Sequence, residues 1–213
     1  MARKFLYVFA GLFLLALLSS DAAAAVLEFS SDATLPVSAM NTDGTIGSPL
    51  GFAQCYTHPS PPGYPGTIPA CPVWLPGFTS TTPSDLVGGY FTRQLDIPGA
   101  PTAGSISVAV DDYAQVIMNG VVVGSTGSIT DLGAAALAQS HYATFDLTPY
   151  LQPGPNMLQI RAQNGPYSFS GAGCNPCGFA GNPAGLIFGG SITYDALTPV
   201  RRTTWGSLKI SYR

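Results

Sequence analysis

Apolar and polar residues alternate with a period of two in four separate stretches of this chain. Between Gly89 and Ile97, Phe91, Leu95 and Ile97 fall on one side, with Tyr90, Thr92, Gln94 and Asp96 on the other. In Gly104–Val110, Ile106, Val108 and Val110 alternate with serine and alanine, and in Met157–Gln163, Leu158, Ile160 and Ala162 alternate with polar residues. Near the end Leu186, Phe188, Ile192 and Tyr194 share a face, interrupted by Gly189-Gly190. Runs of this kind, bounded by Gly, Pro, Asn and Asp, are half-buried antiparallel strands. Helical patterning is confined to Leu132–Gln139, about two turns, and Leu147–Leu151, one turn with Pro149 near its start. The expected fold is all-β, two antiparallel sheets packed as a sandwich.

The alternation stalls once inside this pattern, at Asp111-Asp112-Tyr113, then resumes through Val116 and Met118 to Asn119-Gly120. Asn-Gly tolerates positive φ at both central positions of a type I′ hairpin turn, and Val121-Val122-Val123 follows as the return strand. Two adjacent carboxylates raise three readings. They punctuate a corner by accepting backbone N–H groups two residues ahead; one of them ligates a structural Ca²⁺ with help from carbonyls; or they form a catalytic pair. The corner reading fits a position between two strands best.

The ends differ from the middle. Arg3 and Lys4 precede an apolar run, Phe5–Leu18, and small residues at Ala22–Ala25, which is the order of a secretory signal. The run is shorter than the roughly 18 to 20 residues a spanning helix needs. Residues 1–25 are therefore expected to be a cleaved signal, with a retained N-terminal anchor as the alternative. Cleavage leaves about 188 of the 213 residues, enough for one domain over 26–198 that does not span a membrane. Residues 199–213 form a basic tail. It holds Arg201, Arg202, Lys209 and Arg213, half of the 8 basic residues, with Trp205, Leu208 and Tyr212 at helical spacing behind a possible Thr204 cap. An unstructured tail and a sorting or surface-contact peptide both fit.

Charge narrows the partners. Between Val26 and Thr198 the cations are Arg93 and Arg161, against Glu28 and nine aspartates. Nucleic acid, which demands clustered Lys and Arg, is excluded as a partner, and a neutral ligand is favoured. Catalytic constellations are missing as well. The chain carries 2 histidines, His58 and His141, with no G-x-S-x-G and no H-E-x-x-H. Glu28 is the sole glutamate, so a pair of catalytic glutamates is impossible. The reading is non-enzymatic, with no cofactor beyond the possible structural Ca²⁺.

Four cysteines in an exported chain point to two disulfides. The preferred pairs are local, Cys55 with Cys71 and Cys174 with Cys177. A redox role for Cys174-Asn-Pro-Cys177 is disfavoured because it sits in a Gly-rich loop, away from a helix start. Zinc would need all four thiolates together, or a histidine such as His58. The first pair closes a loop rich in proline and aromatics within Gly51–Phe78. A closure of that length adds roughly 3 kcal/mol in the chain-entropy model, and proline lowers the entropy of the unfolded chain further. A rigid aromatic loop suits sugars, whose C–H faces pack on rings while hydroxyls take hydrogen bonds. The expected ligand residues are Trp74, Tyr56 and Tyr64 here, with Asn164 and Tyr167 in a second loop, Gln163–Pro183. The competing reading is that Trp74 and the tyrosines plug one end of the sandwich.

"GGYFTRQLDIPG", "ISVAVDDYAQVIMNGVVVGS" and "ATFDLTPYLQPGPNMLQIRAQN" together resemble the galactose-binding-domain-like jelly roll over Gly88–Asn164, with "NPAGLIFGGSITY" as a closing strand. That fold serves as the sugar-binding domain of β-galactosidases and β-glucuronidases and as carbohydrate-binding modules and lectins. The resemblance implies a jelly-roll sandwich and a non-catalytic module that binds a glycan or cell-surface polysaccharide. The glycosidases keep their catalytic acids in a separate barrel, for which this chain has no room. The sugar residues of such modules lie in variable loops, so none is carried over. A structural or adhesive extracellular protein with the same fold and no sugar site is the alternative function.

The exported protein is expected to start near Ala25 or Val26 and to hold no free thiol. Intact mass before and after alkylation without reductant checks both, and two or more alkylated cysteines would refute the pairing.

Overall fold

The computed structural model describes residues 24–56, 70–170 and 173–196. The signal segment up to Ala23, His58, Tyr64 and the tail from 199 lie outside the described residues.

The strands are β1 (Ala24–Ser30), β2 (Pro36–Met40), β3 (Ile46–Phe52), β4 (Gln54–Cys55), β5 (Val73–Trp74), β6 (Gly88–Ile97), β7 (Ala100–Asp111), β8 (Tyr113–Met118), β9 (Val121–Gly127), β10 (Ala143–Asp146), β11 (Gly154–Gln163) and β12 (Gly185–Asp195). Two helices, α1 (Leu132–Ser140) and the single turn α2 (Tyr167–Ser170), and a 3-10 turn at Thr148–Tyr150 complete the described elements. One sheet runs β10-β7-β12-β5-β4, with β1 also on β12; the other runs β3-β2-β6-β11-β8-β9. All pairings are antiparallel. From β6 onward the chain passes repeatedly from one sheet to the other, as a jelly-roll sandwich requires.

The apolar half of each alternating run faces inward. Ile106, Val108 and Val110 of β7 and Leu186, Phe188 and Ile192 of β12 meet Phe91, Leu95 and Ile97 of β6 and Leu158, Ile160 and Ala162 of β11 in one buried cluster. Gly190 interrupts the pattern because a Cβ there would stand 2.5 Å from the Phe29 ring. The missing side chain makes room for β1. The Asn-Gly hairpin forms as expected, with φ of 53° at Asn119 and 80° at Gly120. Helix α1 starts at Asp131, whose carboxylate accepts from the N–H groups of Gly133 and Ala134, the usual remedy for orphan donors at a helix start. Among the described residues no helix is long and apolar enough to cross a membrane.

Disulfides join Cys55 to Cys71 and Cys174 to Cys177. Phe179, just beyond the second, packs on Tyr56 and Phe78 with ring centroids 5.1 and 5.7 Å away. The two loops are thereby brought together at the edge of the sandwich.

Trp74 corrects the expectation of a surface ring. It is 0% exposed and its ring centroid lies 6.0 Å from that of Phe91. Strand β5 is a two-residue insert between β12 and β4, so no polar face remains for it to present and both Val73 and Trp74 are enclosed. The indole N–H has no hydrogen-bond partner, which marks the ring as apolar packing.

Trp74→Ala is expected to cost about 3–5 kcal/mol, the range for emptying a large aromatic site. Thermal or urea unfolding measures the loss, and a change below about 1 kcal/mol would contradict the buried placement.

Candidate functional site

Four aspartates of this chain share a habit that the central pair does not follow. Asp32 accepts from the N–H of Thr34 at 2.7 Å, Asp43 from Thr45 at 3.0 Å, Asp131 from Gly133 at 2.9 Å and Asp146 from Thr148 at 2.9 Å. Each is an Asx-type turn closed two residues ahead. Bonds from the Thr45 and Thr148 hydroxyls and N–H groups hold Asp43 and Asp146 below the usual carboxylate range. Asp32 is also lowered: partial burial works against it, but its bonds from Thr34 and its pairing with Arg93 prevail.

Asp111 and Asp112 form no such turn, which corrects the corner reading in its detail. Asp111 ends β7 in one sheet and Tyr113 begins β8 in the other, so the dipeptide is the crossing point between layers. The peptide bond joining them is cis. The Asp112 N–H donates to the Gln163 carbonyl at 3.4 Å, and its carbonyl accepts from the Ser128 N–H at 3.2 Å. Its side chain is 6% exposed and accepts from the Gly165 N–H at 2.7 Å, fifty-three residues away in sequence. Asp111 accepts from Gln139 Nε2 on α1 at 3.0 Å, and the two carboxyls hydrogen-bond to each other.

That last bond requires a proton. Burial, then the charge of Asp112, push Asp111 up to about 8. Asp112 is raised too, by burial, against the pull of the Gly165 N–H. Both shifts run the same way, against charging the two acids together, because two charges this close in a poorly hydrated place repel.

A pocket of about 280 Å³ opens on the pair, lined also by Leu132, Ala136, Gln139, Phe169, Asn182 and Pro183. Its walls are fixed from behind. Asn182 Nδ2 donates to Asp85 at 3.0 Å and to the Gly165 carbonyl at 3.2 Å. Asn164, fully buried, donates to the carbonyls of Ser84 at 2.9 Å and Asn182 at 3.2 Å. Gly165 fits between the Asp112 carboxyl and the Phe169 ring, where a Cβ would stand 2.6 and 2.8 Å from them. Gly127, at φ +76°, passes so close to the Asp112 carbonyl that a Cβ would overlap it. Behind the loop wall, Cys174 Sγ would lie 3.0 Å from a Cβ on Gly181, so the second disulfide backs the segment that carries Asn182.

The residues expected to bind ligand are thus redistributed. Asn164 braces the pocket from inside, and Tyr167 precedes Phe169 on α2, its hydroxyl accepting from Asn175 at 3.0 Å. Tyr56 stands apart, its hydroxyl donating to the Leu75 carbonyl at 3.1 Å. Gln139, Phe169 and Asn182 were not singled out by the sequence. The pair itself was legible only as two adjacent carboxylates at the point where the alternation stalls. Among the described residues no group of three or more His, Cys, Asp or Glu is placed to hold a metal ion.

No family model and no curated protein sequence matches the chain. Among solved structures it is similar to the α-L-rhamnosidase of Streptomyces avermitilis, at 19% identity and a TM-score of 0.44, over 69% of this chain and 14% of that one. It is similar to a family 35 carbohydrate-binding module of Clostridium thermocellum, at 14% identity and a TM-score of 0.34, over 79% of this chain and 98% of the module. It is also similar to the CBM36-1 domain of a multidomain xylanase from the hindgut metagenome of Trinervitermes trinervoides, at 5% identity and a TM-score of 0.36, over 82% and 100%. The chain spans a small part of the rhamnosidase and nearly the whole of either module. At these scores the assignment of a sandwich rests on the strand pairing above.

The shared proton gives stability a definite pH dependence. The folded pKa of Asp111 lies above the ordinary value near 3.9, so the folded state binds a proton that the unfolded chain releases. Its contribution is complete below about pH 4 and is lost as pH rises towards about 8. Asp111→Asn, which keeps a donor towards Asp112, is expected to flatten the fall in Tm between pH 5 and 8 and to exceed the parent at pH 8. Thermal melts across that range check it; a parent Tm that rises with pH there would refute the buried pair.

Proposed function

We propose that this protein is an exported, non-catalytic module that binds a neutral glycan in the Asp111–Asp112 pocket. One observation carries the reading. Two carboxyls whose joint ionisation is disfavoured, the Gln139 and Asn182 amides and the Phe169 ring converge on one small cavity whose walls are already locked. Sugar hydroxyls both donate and accept, and this set offers carboxyl and amide oxygens, the second N–H of Gln139 and an apolar face in one place. Because the groups are held by Gly165, Asp85 and each other, little side-chain entropy is left to lose on binding. The cavity is sized for a single ring, which suits a terminal or branch sugar.

Charge supports the same class of ligand. The sandwich is strongly acidic and the pocket keeps net negative charge, so phosphorylated or sulfated polymers are repelled. The fold of the partial neighbours agrees with a module of this kind, and the disulfides fit an extracellular life.

A glycan array at pH 7 should return neutral glycans, with no dependence on added Ca²⁺. Gln139→Ala and Phe169→Ala should each weaken binding about tenfold, as expected for the loss of one hydrogen bond or one apolar face, while circular dichroism stays unchanged. Retention of acidic glycans alone, or binding indifferent to both substitutions, would sink the proposal.

A further inference from the structure

We propose that the basic segment 199–213 of this chain docks on the outer face of its own first sheet, at the end where β12 releases it. In antiparallel register Glu28 of β1 stands opposite Ser191 of β12, Ser191 opposite Ser105 of β7, and Ser105 opposite Asp146 of β10. Directly paired residues share a face, and the residues next in line on three of these strands, Phe29, Ile192 and Ile106, are core. The row Glu28–Ser191–Ser105–Asp146 therefore crosses four strands on the outward side. Two residues nearer Asp195, the next row is Val26, Thr193 and Ala103.

Among the described residues this face is covered at one end and open at the other. Towards the carboxyl pair α1 lies against β7, and the outward Ala109 and Ile187 are buried. Towards Asp195, Val26 is 59% exposed, and Glu28, Ala103, Ser105 and Asp146 are exposed as well. The open part holds a hollow of about 460 Å³. Its lining is mostly small, with Ala103, Ser105, Ser191 and Thr193 among it, which leaves depth for a large ring.

Charge and reach select the occupant. The strands of this sheet carry no Lys or Arg, since Arg93 and Arg161 both belong to the other. The one ion pair among the described residues is Arg93 with Asp32, so Glu28, Asp146 and Asp195 are left without a counter-charge. The missing cations stand in the segment that follows β12, as Arg201, Arg202, Lys209 and Arg213. Arg202 and Lys209 lie three before and four after Trp205, a spacing that puts both beside the ring on one side of a helix. Arg201 is six residues beyond Asp195, about 20 Å of extended chain. Glu28 and Asp146 are each within about 17 Å of Asp195, four residues of strand rise and one or two strand spacings away. The segment thus reaches both carboxylates without leaving its own molecule, and its short tether gives it the advantage over any separate basic partner. Exposed charges hold the contact, so rising ionic strength opens it.

The experiment follows the emission of Trp205 in the full exported chain, with the Trp205→Phe variant subtracting Trp74. Acrylamide should quench Trp205 about threefold less at low ionic strength than at high, where the segment is released. The Glu28→Gln/Asp146→Asn double variant, in which asparagine can still accept the Thr148 N–H, should keep its Tm. It should show the high-salt quenching already at low salt. In ¹H–¹⁵N spectra the backbone signals of Ser105, Ser191 and Thr193 should move with salt in the parent and stay in place in the double variant. Trp205 equally open at both ionic strengths, or shielding kept by the double variant, overturns the proposal. So does shielding that grows with protein concentration, which would make the occupant the segment of a second copy.

Discussion

The structure depends on a crossing between layers made by two buried acids. A chain that leaves one sheet and enters the other must do so with its backbone groups satisfied, and here the satisfaction comes from far away. Gln163 and Ser128 bond the Asp112 backbone, Gly165 bonds its carboxyl, and Gln139 bonds Asp111. Three segments, at Ser128, Gln139 and Gln163–Gly165, are thereby fixed to one point. The proton shared by the pair is the condition for burying both, since two ionised carboxylates in contact would not remain there.

The candidate site follows from the same arrangement. Because the corner is held from outside, the segments that hold it become walls, and α1, α2 and the Gly181–Pro183 turn enclose a polar pocket. The second disulfide and the Tyr56–Phe179–Phe78 cluster stiffen the loops behind it. At the other end of the sandwich asparagines close the turns, Asn119 bonding Asn156 and the Tyr150 carbonyl and Asn156 the Gln152 and Gly154 carbonyls.

How far the sequence could be read depends on how local the cause was. The period-two runs placed β6, β7, β11 and β12 and their core residues, because inward and outward positions on a half-buried strand leave a pattern in the chain itself. Asn119-Gly120, the α1 segment and the turn at Thr148 were equally legible. Strands β1, β2 and β3 were not, since few of their positions are buried and little alternation marks them. Trp74 misled for a related reason: an aromatic in a Pro-rich loop has the same sequence appearance whether the loop lies open or folds under the sheet.

The sequence by itself determined an all-β sandwich, its hairpin, its acidic character and the local cysteine pairs, all of which rest on contacts or compositions spanning a few residues. Tertiary structure alone decided that Trp74 is core, that Asn164 is a brace, and that Asp111 and Asp112 meet Gln139, Phe169 and Asn182. Those outcomes hinge on hydrogen bonds such as Asp112 to Gly165, between segments whose spacing in sequence carries no periodic trace. A carboxyl acquires a pKa near 8 only when distant chain excludes its water, and no stretch of ten residues can do that to itself.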